Sequence, residues 1–404
     1  MVVMSTTRVI RIESSVNIAS VESLFAELDK GTPCDVLVPT HLRKRLIGGD
    51  CALIQFLMTW AKRYPNGRVL THIKETEDPV QQLPDFLERD HGLVANLAGS
   101  DIVTRRAEKS LRPYADSLAR ERLLRMEQGV PSATRGEKSF LLCADDTDKA
   151  YLPLFYHRTV GTRPKIKGEQ DFRILAAELL RNTAQKRSTE EPLEDLKCNL
   201  GTILHELFDN TEKWARTEFD SRPVQRSLRG IRFEMYANKR DVLLGHVEGS
   251  PPLVNYVSRE AFLRPGAGDD RQRFVEISIF DSGPGLAQRK RGVRIDSTVP
   301  IADEYRIVLE CLSKHSSSSF HTHRGLGLHT VMKTLNDSSG FLRLRTGRLN
   351  LFRDFVADPY VQKGDRRLSE PYLLDWDSGT EELVPKEVAE GALFTMLIPI
   401  RLFR

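Results

Sequence analysis

A carboxylate, a carboxamide and an ammonium group recur at helical spacing within one stretch of the sequence. Glu206 and Asn210 lie four residues apart and Lys213 follows three residues later, so a helix would place all three on one face. A carboxamide oxygen suits Mg²⁺, an ammonium group offsets phosphate charge, and a carboxylate can take a proton from an attacking water. The set suits a site for a magnesium-bound phosphate compound, although such spacing is also common on solvated helix faces.

A second motif, Asp-Ser-Gly-Pro-Gly at 281–285, directly follows an apolar run that predicts a strand. The carboxylate of Asp281 can accept a hydrogen bond from an exocyclic amine such as that of adenine. Gly283 and Gly285 have no Cβ, so the backbone can approach a ligand closely there. In isolation the motif also fits an ordinary turn between a strand and a helix.

The third motif is Arg-Gly-Leu-Gly-Leu at 324–328, which opens a predicted helix. Gly325 and Gly327 at a helix start leave backbone N–H groups free for phosphate oxygens. The motif is not a Walker A loop, because no Gly-Lys-Ser/Thr follows it. It is not a Rossmann fingerprint either, because the third glycine is missing.

The elements that must position these motifs begin after residue 168. There the pattern predicts helices and strands in mixed order, and we expect an α+β fold with an insertion at 237–272. Residues 1–75 alternate between strands and helices and predict a small α/β unit. The stretch between them, 76–168, is predicted to be a helical and linker region, with a charged helix over 101–128.

Composition excludes several classes of protein. Lys and Arg number 60 against 56 Asp and Glu, giving a net charge of +4, which argues against a dedicated nucleic-acid binder. The five cysteines form no C-x-x-C pair, which argues against zinc ribbons and thioredoxin-like sites. No apolar run approaches the length of a transmembrane helix and no secretory signal is evident, so we expect a cytoplasmic protein without a membrane partner.

In this order the three motifs resemble the N, G1 and G2 boxes of the GHKL superfamily, which includes gyrase B, heat-shock-90-type chaperones, histidine kinases and MutL. The segment Gly-Ala-Leu-Phe-Thr-Met-Leu-Ile-Pro at 391–399 resembles the last strand of that family, and 340–345 resembles the strand before it. The resemblance covers roughly residues 170 to 400. It implies a Bergerat-type sandwich over 169–404, with a mixed sheet, helices on one face, and ATP between the helices and a mobile lid.

The resemblance also implies a role for each matched residue. Glu206 falls on the general base of the hydrolysing members, and Asn210 on the Mg²⁺ ligand. Lys213 falls on a phosphate contact, and Asp281 on the residue that reads adenine. The remaining implied nucleotide contacts are Gly283, Gly285, Gly325, Leu326, Gly327 and Leu328, and the lid would span about 286–323.

Three features depart from the family pattern or stand outside it. Ala392 occupies the place of a Thr that often contacts adenine, and Arg324 replaces a small residue before the third motif. His205 precedes Glu206, and because adjacent helical residues point apart, we interpret it as structural.

Three functions fit these residues. The leading hypothesis is an ATPase that uses Mg²⁺ and ATP to drive a conformational or partner switch. The alternatives are a protein kinase of the histidine or anti-sigma serine type, and a nucleotide sensor without hydrolysis. The α/β unit at 1–75 resembles STAS domains in element order and would bind a partner protein, so its deletion is expected to leave ATP binding intact. A nucleotide-dependent homodimer is implied by the resemblance alone.

Overall fold

The computed structural model describes residues 8–28, 30–44, 46–107, 109–157, 163–184, 194–262, 271–313, 327–359 and 372–400. The predicted α+β class is confirmed, since the chain combines a small parallel sheet, a large antiparallel sheet and helices packed on both. None of the helices in these ranges is both long and apolar enough to cross a bilayer.

The first unit is a four-stranded parallel sheet whose strands lie in chain order. Its strands are β1 (Arg8–Arg11), β2 (Cys34–Leu37), β3 (Arg68–Leu70) and β4 (Asp101–Val103). Its helices are α1 (Ile18–Leu28), α2 (Gly49–Arg63), α3 (Pro79–Leu87) and α4 (Asp90–Ala98). Parallel neighbours require crossover connections, and right-handed crossovers that advance in one direction place their helices on one face. Because β4 belongs to this sheet, the unit extends well beyond residue 75. Strand β4 lies in a stretch that was predicted to be helical.

The middle of the chain contributes to both units. It contains α5 (Arg112–Glu127), α6 (Val130–Ala133), β5 (Thr134–Arg135), β6 (Lys138–Ala144), β7 (Tyr156–His157) and β8 (Lys165–Ile166). Strand β6 pairs with a strand of the large sheet along its whole length, from Lys138 to Ala144. The large sheet thus begins before residue 169, where the sequence placed the start of the ATP-binding domain.

The remaining elements follow in mixed order. The helices are α7 (Glu169–Thr183), α8 (Glu194–Trp214), α9 (Arg240–His246), α10 (Pro251–Val257), α11 (Leu286–Arg291), α12 (Ile301–Leu312) and α13 (Gly327–Asp337), with a 3₁₀ turn at Glu260–Phe262. The strands are β9 (Leu228–Lys239), β10 (Arg271–Asp281), β11 (Phe341–Gly347), β12 (Leu349–Asp354), β13 (Leu374–Asp375) and β14 (Ala389–Pro399). In the stretch 237–272, expected as an insertion, the two ends belong to β9 and β10, and α9 and α10 lie between them.

The large sheet has the order β13-β12-β11-β14-β10-β9-β6-β5. Every pairing among its described strands is antiparallel, whereas the resemblance implied a sheet of mixed direction. Strand β14 lies at the centre between β10 and β11, with Phe394 opposite Ile279 on one side and Leu344 on the other.

Helices cover both faces of the large sheet, not only one. Side chains alternate along a strand, so Ile277 and Ile279 of β10 face one layer while Glu276 and Ser278 face the other. The first face carries α8, and α7 and α13 pack against α8. The second face carries α2, whose preceding residue Gly48 donates its N–H to the Glu276 carboxylate at 3.1 Å.

Buried charges join the first unit to the second face of the sheet. Arg232 of β9 pairs with Asp50 of α2 at 2.9 Å, and Arg345 of β11 pairs with Glu22 of α1 at 2.9 Å. Apolar side chains of α2, among them Phe56 and Trp60, are fully buried in the same core. The N-terminal unit is therefore an integral layer of the molecule.

Candidate functional site

Helix α8 is the platform of the candidate site. Its apolar residues Leu200, Ile203 and Leu207 recur at helical spacing and are buried, which fixes the side of the helix that faces the sheet. A Cβ at Gly201 would lie 2.7 Å from the Cα of Arg173, so glycine lets α7 approach closely.

A buried arginine fixes the C-terminal half of this platform. Arg229 of β9 is fully buried and pairs with Asp145 at 2.7 Å and with Glu212 of α8 at 3.0 Å. The hydroxyl of Tyr156 donates to the same Glu212 carboxylate at 2.6 Å. Sequence reasoning missed this anchor, although Glu212 lies within the first motif, because an arginine 17 residues later in the chain carries no signal of contact.

One cavity collects residues from all three motifs. Glu206, Asn210 and Lys213 line it from α8, and the second and third motifs line it from the end of β10 and the start of α13. The predicted site residues that line it are Glu206, Asn210, Lys213, Asp281, Gly285, Gly327 and Leu328. Gly283 supports the cavity from behind, where its Cβ would lie 2.7 Å from the Cα of Ala215. Gly325 and Leu326 lie outside the described residues.

The first end of the cavity joins the first and third motifs. A Cβ at Gly327 would lie 2.5 Å from Oε2 of Glu206 and 3.7 Å from Nδ2 of Asn210, so a larger residue there would displace the Glu206 carboxylate. The Nδ2 atom of Asn210 is buried and has no hydrogen-bond partner among the residues that the structure describes. Because a buried polar group without a partner is costly, this end suits a polar ligand.

His205 contacts Glu206, contrary to the expectation that the two side chains point apart. Its Nδ1 lies 3.3 Å from Oε1 of Glu206, and its ring packs edge-on against Phe172. The hydrogen bond to Glu206 raises the pKa of His205 above its ordinary value, against the opposing effect of burial. The imidazole therefore helps to orient the carboxylate from within the same helix.

Lys213 lines the cavity, but its ammonium group pairs with Asp209 one turn earlier on α8. The Lys213 side chain is 42% exposed, whereas that of Asp209 is only 12% exposed. An anionic ligand that reached Lys213 would therefore compete with a largely buried carboxylate.

The opposite end of the cavity is built around Asp281. Its carboxylate is buried and accepts hydrogen bonds from the N–H groups of Gly283, at 2.9 Å, and Ala392. Burial raises the pKa of Asp281 to about 6, while the two N–H donors and the charges of Arg229 and Lys62 act in the opposite direction. A single carboxylate is thus held at the wall of a pocket.

Apolar side chains surround that carboxylate. Ile279 of β10 and Ala392 and Phe394 of β14 line the cavity beside Asp281. Ala392, noted as a departure from the family pattern, contributes its backbone N–H in place of a side-chain hydroxyl. Apolar walls with one carboxylate suit a largely apolar ring that carries an amine.

Two glycines with positive φ shape the turns beside Asp281. Gly391 has φ +72°, and a Cβ there would overlap the carbonyl oxygen of Asp281. Gly285 has φ +81°, and its Cβ would lie 2.9 Å from the hydroxyl of Thr346. That hydroxyl accepts the N–H of Leu286 at 3.1 Å and lies 3.1 Å from the Gly391 carbonyl oxygen, to which it donates. Larger residues at either glycine would force the two loops apart.

Several cavity residues were not predicted. Trp214, 43% exposed, lines the cavity from the end of α8, and Arg289, Lys290 and Cys311 line it from α11 and α12. The guanidinium of Arg289 donates to the carbonyl of Thr217. Two features of the sequence could have pointed to these residues. They are the Arg-Lys-Arg run at the end of α11 and the aromatic residue after Lys213.

No protein-family model, curated protein or solved structure matches this chain. The geometry of the cavity is therefore the basis on which a function is proposed.

Proposed function

We propose that this chain is a GHKL-type ATPase that binds ATP with Mg²⁺ in the cavity between α8 and α13 and hydrolyses it to drive a conformational or partner switch. The observation that carries the proposal is that residues of all three motifs meet at one cavity. These motifs lie up to about 120 residues apart in the sequence.

The Asp281 end has the chemistry of an adenine pocket. An ionised carboxylate accepts from the exocyclic amine, and Ile279 and Phe394 provide apolar contact for the ring. The buried position of Asp281 makes an unmade hydrogen bond expensive, so a base without an amine is discriminated against.

The Gly327 end has the chemistry of a phosphate and magnesium site. The N-terminus of α13 supplies backbone N–H groups and a partial positive charge. Asn210 would hold Mg²⁺ through its side-chain oxygen, and the ion would balance phosphate charge when bound. Lys213 would exchange Asp209 for phosphate.

Glu206 is the proposed general base. It lies beside Gly327, at the phosphate end, and His205 contacts one of its oxygens. A carboxylate positioned there can accept the proton of the attacking water, a role that contributes roughly 10²–10⁴-fold to a rate.

The test is phosphate release by the full chain with Mg²⁺ and ATP, together with ATP affinity by calorimetry. Glu206→Ala is expected to lower turnover by at least about 100-fold while leaving Kd unchanged. Asp281→Asn is expected to weaken binding by about tenfold or more. Glu194→Ala, at a strongly exposed position on the same helix, is the matched control and should behave as the unsubstituted chain.

Other outcomes separate the alternatives. Labelled γ-phosphate on the chain or on a partner would support the kinase hypothesis, and binding without release or transfer would support the sensor hypothesis. Turnover that is unchanged in Glu206→Ala would remove the proposed base, and equal ATP affinity with Asp281→Asn would contradict the adenine assignment.

A further inference from the structure

Helix α2 of the N-terminal unit contacts the loops that form the Asp281 end of the cavity. Gln55, Thr59 and Lys62 lie at helical spacing, four and three residues apart, on the side of α2 that faces the start of β14. Gln55 and Thr59 are fully buried, although both are polar. Their burial requires partners on the sheet, and the partners lie beside the cavity.

The first two residues fix the strand that carries Ala392. The Nε2 atom of Gln55 donates to the carbonyl of Arg345 at 3.0 Å and to that of Glu390 at 3.3 Å. The hydroxyl of Thr59 accepts the N–H of Glu390 at 3.0 Å. Both backbone groups of Glu390 are therefore held by α2, one residue before the Gly391 that packs on Asp281.

Lys62 joins three segments around the same end of the cavity. Its ammonium group pairs with Glu218, in the loop after α8, at 3.0 Å and with Glu390 at 2.8 Å. It also lies 3.5 Å from the carbonyl oxygen of Gly283, within the second motif. The side chains of Lys62, Glu218 and Glu390 are only 19–22% exposed, so solvent weakens the pairs less than it weakens surface pairs.

The carbonyl of Gly283 connects these contacts to the carboxylate. It accepts the N–H of Gly391 at 2.7 Å, and the N–H of the same Gly283 donates to Asp281 at 2.9 Å. A displacement of α2 would therefore move Glu390, Gly391 and Gly283 together, and with them the donors that orient the carboxylate.

We propose that Lys62 is a positioning residue for the adenine end of the site, through which the N-terminal unit sets nucleotide affinity. The inference rests on the proposed function, because it assumes that Asp281 reads the base. It gives the N-terminal unit a role besides partner binding. A partner that shifts α2 changes nucleotide affinity, and by thermodynamic reciprocity the nucleotide changes the affinity for that partner.

The test compares Lys62→Met with Lys62→Arg in the full chain, with ATP affinity measured by calorimetry across pH. Lys62→Met is expected to weaken ATP binding by about five- to tenfold, and Lys62→Arg to restore it. Lys44→Met is the control, because Lys44 also bridges the two units, through Glu248 at 2.7 Å, but this pair is exposed, whereas Lys62 pairs with Glu218 and Glu390 beside Asp281.

A pH profile separates positioning from a general loss of stability. The positive charges that face Asp281 are Lys62 from α2, Arg229 from β9 and Arg289 from α11, and the nearby acids are Glu218 and Glu390, which both pair with Lys62. Because Asp281 must be ionised to accept the amine, affinity should fall as pH drops through its pKa. Loss of the Lys62 charge should move that fall to higher pH, while Lys62→Arg should leave it in place.

Unchanged affinity and an unchanged pH profile in Lys62→Met would overturn the inference. Equal weakening of ATP binding at every pH in both Lys62 variants would also overturn the inference, because it would indicate a structural role only.

A second variant applies if Lys62→Met does not fold. Thr59→Val removes a single acceptor of the Glu390 N–H and should weaken ATP binding in the same direction. If the unsubstituted chain binds no ATP, the proposed function fails first, whereas binding that is lost in Asp281→Asn but kept in Lys62→Met rejects the positioning role alone.

Discussion

At the scale of single residues, the Asp281 carboxylate shows how a binding group lowers the stability of the fold. Its pKa in the folded chain is raised to about 6, so the folded state favours the protonated form more than the unfolded state does. The contribution of this group to the free energy of unfolding therefore decreases as pH rises from about 4 to 7. At neutral pH the chain therefore keeps a buried charge, which the N–H groups of Gly283 and Ala392 stabilise in part.

Asp281→Asn should consequently stabilise the chain at pH 8 by about 1–3 kcal/mol, although it weakens nucleotide binding. The neutral amide removes the cost of burying a charge and still accepts from Gly283 or Ala392. Urea unfolding at pH 8 and pH 4 checks the prediction, because the two proteins should differ little at pH 4. A stabilisation of equal size at both pH values would mean that the charge of Asp281 is not its source.

The order of the three motifs in the sequence was enough to select residues that the fold brings together. Every described member of the predicted set except Gly283 lines the cavity, and Gly283 lies behind it. The roles of these residues in nucleotide binding stay predictions. The ion pair of Lys213 with Asp209 and the contact of His205 with Glu206 were not predicted, because they depend on rotamers that the packing of α8 selects.

At the scale of elements, α8 depends on a buried charge that lies off the cavity. Arg229 is held by Asp145 and Glu212, and all three side chains are buried or nearly so. A buried ion pair adds little compared with apolar packing, but removal of Arg229 would leave the two carboxylates with only the more exposed Arg216 and Arg163 as partners. The position of the helix is thus sensitive to Arg229.

Arg229→Met is expected to lower the free energy of unfolding by about 1–3 kcal/mol, because Asp145 and Glu212 would lose their fully buried partner and keep only Arg216 and, for Glu212, Arg163. The comparison variant is Arg222→Met, which breaks an exposed pair with Asp220 and should cost less than about 0.5 kcal/mol. Chemical denaturation of both variants measures the difference. Similar small losses in the two would show that Arg229 does not anchor α8.

The elements that sequence predicted best are those with a long periodic pattern. Helix α2 (Gly49–Arg63) has such a pattern and lies within the stretch predicted to be an α/β unit, whereas β4 has only three residues and fell inside a predicted helix. Pairing of β6 with β9 across about 90 residues was not predictable, because strand partners depend on the whole sheet and not on local sequence. The docking of α2 on the sheet was missed for the same reason.

At the scale of the whole molecule, the N-terminal unit and the large sheet share one core. The unit contributes Asp50 and Glu22 to buried ion pairs with Arg232 and Arg345 of the sheet. Its removal would take these carboxylates from the two arginines, leaving Arg232 with Glu234 and Glu276 and Arg345 with backbone carbonyls, and would uncover the second face of the sheet. The expectation that residues 1–75 could be deleted while ATP binding is kept does not fit this packing.

Deletion of residues 1–75 is instead expected to abolish cooperative folding and, with it, nucleotide binding, because the deletion exposes both apolar surface and unpaired buried charges. Circular dichroism with denaturant, and size-exclusion chromatography of the truncated chain, check this outcome. A truncated chain that unfolds cooperatively and binds ATP with unchanged affinity would show that the two units are independent.

The central position of β14 has a consequence for synthesis of the protein. Strand β14 is the last described strand in the sequence, yet it joins β10 to β11 in the middle of the large sheet. Until residues 389–399 have left the ribosome, the nascent chain holds two half-sheets whose inner edges are open. Ala392 and Phe394 also complete the Asp281 end of the cavity. A growing chain therefore remains unable to hold its ligand, and exposes two strand edges to aggregation, until translation has passed this strand.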